Sequence, residues 1–407
     1  MEVKTLGKRL KIAARNLLRY QRRTILTTLL ITLGVVSMLL FVSTTGSFKN
    51  MMVGQITDSM LGHFQIHKKG YVSSIDSLPL TMNMKPQMLN KVEELFTQRK
   101  DIEAWSPRIK FGVMFSNFAE TTRMRVNGVD PEHEAATSPE LMKRLISGEA
   151  GLLVERGKIL IPELIARGLK VKTGDAVVLV ATNKDGSVNG INFTVKGVLE
   201  GLSGPGGRDG YMHIEDAKEL LRMDELEVSE IAVRLKDPQT LDEILMDLKQ
   251  TLGTLTNQQG KAVFEIHSWD KLSPFANIAN MIDLMTLFIH IMLVSIVLIS
   301  VMNVMVMAVY GRIREIGTIA AMGTQPATIL QLFIAEGLLL GLLGAVIGTG
   351  LSLLVILGVQ QAEFTFDFGR QTGLMLYPVI EFKDVVMASA MVIVVAVLAS
   401  LQPAWKA

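Results

Sequence analysis

The 407-residue sequence has no cysteine, which excludes disulfide scaffolds, zinc ribbons and thiol chemistry and leaves the redox compartment open. Charged residues make up only 20% of the chain against 49% hydrophobic residues. Charge is missing altogether from residues 24–45, 291–311, 337–362 and 385–405. A soluble domain spreads its charges, so these blanks indicate a membrane protein with one large soluble part. The formal net charge is +2, which argues against a nucleic-acid partner and, with the apolar content, against intrinsic disorder. Also missing are the Gly-x-x-x-x-Gly-Lys-Ser/Thr phosphate loop, a His-Glu-x-x-His pair and a Gly-x-Ser-x-Gly elbow. The chain is therefore expected to be no enzyme, to bind no cofactor or metal, and to rely on a separate subunit if ATP drives it.

A helix needs about 20 apolar residues to cross the hydrocarbon core. Residues 24–45, 278–310, 329–359 and 385–401 supply four candidates. The second carries Asp283 and His290 in its first third, so it reads as a long helix projecting from the bilayer. Lys4, Lys8, Arg9, Lys11, Arg15, Arg19, Arg22 and Arg23 precede the first span against a single Glu2, which places the N-terminus in the cytoplasm. Four spans return the C-terminus to the same side. Residues 311–328 are then a cytoplasmic connection, and residues 46–277 and 360–384 are external. The larger external segment holds 28 Lys and Arg against 31 Asp and Glu, as suits an exported domain. The first span is longer than the apolar core of a signal peptide and reads as a retained anchor. Residues 1–23 place Leu6, Leu10, Ala13, Ala14, Leu17 and Leu18 at helical spacing among the basic side chains, an amphipathic segment suited to anionic lipid.

The external segment reads as mixed α and β. Helices are expected at 86–99, 215–223 and 238–252, and strands at 176–181, 191–199, 229–235 and 262–267. Asn183-Lys184-Asp185-Gly186-Ser187 carries a hairpin-turn signature. Residues 201–210, with five glycines and a proline, read as a loop. His63 and His67 stand four apart, a spacing that suits a metal on a helix, but the alternation around them is that of a strand.

Three stretches carry a family resemblance. They are Ala13-Ala14-Arg15-Asn16-Leu17-Leu18-Arg19 with Arg22-Arg23-Thr24, the run from Arg312 to Gly323 containing Glu315-Ile316-Gly317, and Glu336-Gly337 through Gly348. With four spans and one large loop after the first, they resemble the FtsX/LolC/MacB-type permeases of ABC transporters, in the lipoprotein-release-like branch that lacks a fused ATPase domain. Gly62 to His67 with Lys69-Gly70-Tyr71, and Gly174-Asp175 with residues 193–198, resemble parts of that family's external domain. The resemblance implies the type VII arrangement, four transmembrane helices with an extracytoplasmic α+β domain between the first and second. It implies a bacterial inner-membrane location, a cytoplasmic ATPase dimer that binds ATP and magnesium, a second permease copy or paralogue, and an external protein or lipoprotein. Members of that family usually continue as a short basic cytoplasmic tail where this sequence stops at Ala407, so either this member is short or its tail lies beyond this sequence. The family's coupling helix, which docks in a groove of the ATPase, falls on Arg312, Arg314, Glu315, Ile316, Gly317, Met322 and Gly323.

Gly337, Gly341, Gly344 and Gly348 are spaced 4, 3 and 4 and share one face of the third span, where small residues let helices approach closely. Glu336 is the one carboxylate inside that span, near its cytoplasmic end, either paired with a basic neighbour or active in the coupling movement. The expected function is transmission of ATP-driven movement to the external domain for lipoprotein, lipid or other exported substrates. The alternative is an FtsX-like membrane regulator of an external cell-wall hydrolase.

Overall fold

A computed structural model describes residues 2–148, 151–201, 209–256, 260, 262–362, 365–368, 371–375 and 377–406. It divides into two compact units, Met1–Asn50 with Ala279–Ala407, and Met51–Ile278.

In the first unit, α1 (Glu2–Arg19) ends at Tyr20 and α2 (Gln21–Ile56) follows at once. Thr24 stitches the break: its hydroxyl donates to the Leu17 carbonyl at 2.8 Å, one of the carbonyls a helix end leaves unpaired. Ala13 and Leu17, one turn apart, are buried, whereas Ile12 and Leu18 on the other side are exposed. At 1.5 Å per residue the 36 residues of α2 run about 54 Å, well beyond the thickness of a hydrocarbon core. The helix therefore continues into the second unit, where it closes in one wider π-helical turn, Thr57–Leu61.

The second unit is built on a ten-stranded sheet. Its elements run β1 (Phe64–Lys68), α3 (Pro86–Thr97), β2 (Ile102–Ser116), β3 (Thr121–Val129), α4 (Pro131–Thr137), β4 (Leu145–Gly148), β5 (Lys158–Pro162), α5 (Glu163–Leu169), β6 (Ala176–Thr182), β7 (Val188–Leu199), β8 (Asp209–His213), α6 (Ile214–Leu220), β9 (Glu230–Leu235), α7 (Leu241–Gly253), β10 (Phe264–Ser268) and α8 (Trp269–Leu272). The strand order is β10-β1-β9-β2-β3-β8-β5-β7-β4, with β6 bridging β2 and β7. Helix α3 buries Leu89, Val92 and Phe96 at helical spacing against this sheet, in a core that includes Phe64, Ile109 and Phe115. The Asn183–Ser187 turn closes the β6–β7 hairpin: the Ser187 amide donates to Asp185, and Gly186 takes a positive φ of 87°.

Two expectations shift. Pro238–Thr240 forms a separate 3-10 turn before α7, because proline at the start of a helix has no amide to donate. Residues 202–208 of the expected 201–210 loop lie outside the described residues, and Asp209 and Gly210 begin β8, in parallel register with Arg125 and Val126 of β3. As the alternation around His63 and His67 indicates, this stretch is a strand in the structure too. His67 lies on β1 and His63 just before it, and four residues of extended chain span about 13 Å.

The first unit resumes with α9 (Phe275–Tyr310), α10 (Ile313–Ala321) and α11 (Pro326–Gln361). A short hairpin follows, β11 (Thr365–Phe368) with β12 (Gln371–Met375), and then α12 (Phe382–Lys406). Among the described residues four helices are long and apolar enough to cross a membrane: α2, α9, α11 and α12. The glycine face of α11 meets two partners at two heights. A Cβ on Gly337 would lie 2.8 Å from the Ser400 side chain, and one on Gly341 2.9 Å from Ala396, both on α12. On Gly344 it would lie 2.3 Å from Ile31, and on Gly348 2.7 Å from Val35, both on α2. One strip of small residues thus seats α11 between two helices.

Candidate functional site

The cytoplasmic-side motifs of the sequence converge on Glu336. Its carboxylate is completely buried near the start of α11. Three side chains donate to it: Asn16 of α1 at 2.9 Å, Arg23 of α2 at 3.2 Å, and Arg312, between α9 and α10, at 2.9 Å. These partners lie 320, 313 and 24 residues away in sequence, so one carboxylate ties four elements of the unit together. A buried carboxylate survives only when paired and hydrogen-bonded, and here both conditions are met. The Arg312 guanidinium also lies over the Tyr20 ring, 4.1 Å from its centroid, a cation–π contact that stacks the α1–α2 junction onto the foot of α10. The Tyr20 hydroxyl donates in turn to Glu315 at 3.2 Å, and Arg19 stands 3.7 Å from the same carboxylate.

The expected coupling residues separate into two groups. Arg312 is turned inward and is only 6% exposed, so its guanidinium belongs to the Glu336 cluster. Arg314, Glu315, Gly317, Met322 and Gly323 are exposed, and Ile316 is half-buried against the core of the unit. None of the residues of α10 is buried. Ile313 and Ile319 are exposed apolar residues on it, and Met322, its C-cap, is 74% exposed. Gly323 takes φ +86°, which lets the chain turn sharply from α10 towards α11. The product is a short amphipathic helix with an uncovered apolar surface, rooted by a buried ion cluster.

The second unit holds another buried cluster, which the sequence did not disclose. Arg108 of β2 and Glu230 of β9 are direct cross-strand partners. Arg108 makes a two-pronged pair with Glu134 of α4, at 2.6 and 2.8 Å, and reaches Glu230 at 3.4 Å. Lys110 and His67 stand 3.7 and 3.8 Å from the other Glu230 oxygen. Burial pushes the Glu230 carboxyl up, but the surrounding Lys110, His67 and Arg108 outweigh it and hold it well below the usual carboxylate range. Burial likewise works against the charge on Arg108, and Glu134 and Glu230 overcome it. The same cluster grips the turn that ends α2. Arg108 donates to the Met60 carbonyl, the Glu140 amide to the Asp58 carbonyl at 3.0 Å, and Gln65 to the Leu61 carbonyl at 3.0 Å. Arg234 pairs with the Asp58 side chain at 2.6 Å. Carbonyls that a helix end leaves open are thus filled by the sheet. Among the described residues no group of three or more His, Asp or Glu side chains converges as metal ligands.

Comparison with known proteins agrees with this layout. Residues 24–251 match the MacB-like periplasmic core domain, and residues 287–407 match the C-terminal domain of FtsX-like permeases. With four apolar helices, this defines a membrane permease that carries an extracytoplasmic domain. The chain belongs to the FtsX/LolC/MacB-type permease family of ABC transporters. Its relatives include the lipoprotein-releasing system transmembrane protein LolC of Neisseria meningitidis serogroup B, 22% identical over 333 residues, covering 78% of this chain and 73% of that protein. LolC of Xylella fastidiosa strain 9a5c is 23% identical over 302 residues, covering 69% and 70%. Among solved structures, the periplasmic region of MacB from Actinobacillus actinomycetemcomitans aligns with 51% of this chain and 89% of its own, at 14% identity and a TM-score of 0.35. The extracellular domain of the ABC-type transporter YknZ from Gram-positive bacteria aligns with 50% and 99%, at 12% identity and a TM-score of 0.34.

Proposed function

We propose that this chain is the non-catalytic transmembrane subunit of a lipoprotein-handling ABC transporter. A separate cytoplasmic ATPase dimer binds ATP and magnesium, and α10 receives its movement. The carrying observation is the exposed α10 itself, a rigid helix with Ile313 and Met322 uncovered and its foot at Arg312 locked to Glu336. A helix laid in a partner's groove transmits displacement only if its other side is fastened, and the Glu336 cluster fastens it to α1, α2 and α11. Helix α2 continues into the external domain, where Arg108, Gln65 and the Glu140 amide hold its last turn, so a shift along α2 is delivered to the sheet.

In this reading α2, α9, α11 and α12 span the bacterial inner membrane with both termini in the cytoplasm, since the basic segment before residue 24 stays inside. A second copy or a paralogue completes the permease pair. The lipoprotein substrate is proposed from the lipoprotein-releasing function named for the relatives. Affinity purification of the chain in mild detergent should recover an ABC ATPase together with a lipoprotein or a lipoprotein-carrying partner, and Met322→Asp should release the ATPase. Recovery of a cell-wall hydrolase as the external partner would favour the regulatory alternative, and ATPase retained undiminished on Met322→Asp would contradict docking at α10.

A further inference from the structure

Beside α10 lies a groove of about 600 Å³, lined in part by Arg312, Glu315 and Ile316 of the coupling stretch. Ile12 of α1, Ile316 and Ile319 of α10, and Ile329, Leu332 and Phe333 of α11 supply its apolar lining. Arg19, Arg312 and Asn16 line its polar end. At the rim, Arg19 and Glu315 offset one another. Arg312, together with Arg23 outside the lining, faces the single negative charge of Glu336, so one positive charge is in excess beside the groove. That excess is also short of acceptors. Arg312 spends one nitrogen on Glu336, while its Nε and Nη2, buried, have no hydrogen-bond partner, nor has Arg23 Nε. Buried charged donors left unmade are costly, so an anionic acceptor reaching them is favoured.

We propose that this groove binds one anionic phospholipid from the leaflet next to the basic N-terminal segment. A phosphodiester oxygen matches the fork of a guanidinium, which prefers planar, two-point contact with phosphate. Six aliphatic and aromatic side chains beside that fork suit an acyl chain and not the polar body of a soluble phosphate ester. The bound lipid would brace α1 against α10 and set the angle at which α10 leaves the membrane surface. The inference rests on the membrane assignment alone. Ile313 and Met322, through which α10 is proposed to dock, are not among the residues lining the groove, so lipid binding and ATPase docking can be tested apart.

The test is native mass spectrometry of the purified full chain, titrated separately with dioleoyl-phosphatidylglycerol, dioleoyl-phosphatidylcholine and glycerol phosphate. Phosphatidylglycerol should add one saturable copy in preference to phosphatidylcholine. Arg19→Gln should weaken that copy by about fivefold, the worth of one basic side chain at an anionic surface. Arg22→Gln, a basic change outside the groove lining, should leave it in place, and Ile319→Asp should abolish it. Equal uptake of the two lipids would overturn the proposal in favour of a general lipid annulus. Full competition by glycerol phosphate would make it a soluble-phosphate site, and displacement of the lipid by added ATPase would make the groove a protein-docking surface.

Discussion

Each unit of the chain buries an ion cluster, and the two are built for different ends. The Glu336 cluster joins elements hundreds of residues apart, has more cation than anion, and leaves donors without partners. The Arg108–Glu134–Glu230 cluster is local to one sheet and the helix beside it, with Arg108 facing Glu230 across neighbouring strands and making a two-pronged pair with Glu134 of α4. Matched charges inside a sheet define a fixed structure. A knot of three donors on one carboxylate, with donors to spare, binds moving parts together and can accept something further. The contrast is one of charge balance: matched in the external domain, with a cation in excess at the foot of α10.

The largest effect should come from cutting each knot at its centre. Glu336→Leu strands the buried Arg312 and the half-buried Arg23 guanidinium and should cost about 3–5 kcal/mol, read as loss of folded protein in detergent. Arg108→Met should cost a similar amount by stranding Glu134. Here the comparison sharpens, because a matched pair can be replaced by apolar side chains with little penalty. Arg108→Met with Glu134→Leu should therefore recover much of the loss, since Lys110 and His67 still face Glu230. Glu336→Leu with Arg312→Met should recover less, since Arg23 stays half-buried without its acceptor. Thermal unfolding of the four variants decides this, and equal recovery in both units would erase the contrast.

A smaller effect is expected from Gly344→Leu. Even a Cβ there would sit 2.3 Å from Ile31, so α2 and α11 must separate, at about 1–3 kcal/mol. Val346, two residues on and 67% exposed, should accept leucine without change. Equal melting temperatures for Gly344→Leu and Val346→Leu would mean that the glycine face does not pack.

Acid should separate the units as well. Glu230 is held below its unfolded value of about 4.3, so its contribution is complete above that value and is lost as pH falls towards the folded pKa. Protection of β9 amides, relative to their intrinsic exchange at each pH, should fall between about pH 5 and pH 2 in the wild type, and the fall should be shallower in Glu230→Gln. Identical profiles would remove Glu230 from the acid response.

Sequence and structure agree best where one element carries its own signal. The β6–β7 hairpin is legible from Asp185-Gly186 and the flanking alternation, and α3 from Leu89, Val92 and Phe96. The long β2–β3 pair was missed because Pro107 and Gly112 interrupt β2, and neither breaks it in the structure. The three motifs shared with the permease family are visible separately in the sequence, but their meeting at Glu336 is not, because no local pattern encodes a contact over 320 residues. Arg312 shows the same limit. Its place in the coupling motif suggests an outward role, and tertiary packing turns it inward. Arg108 and Glu230 were lost among the many carboxylates and cations of the external segment, since their opposition depends on strand register.

The smallest structural change gives the most direct test of the coupling account. Glu315 is half exposed, and its contacts to Tyr20 and Arg19 are of a kind that contributes about 0–1 kcal/mol, so Glu315→Arg should barely alter the melting temperature. Its effect on function should be large. With the chain reconstituted alongside its ATPase, the account predicts that Glu315→Arg sharply lowers ATP turnover coupled to substrate release while the fold is kept. Turnover and release at wild-type rates in a correctly folded Glu315→Arg permease would contradict it.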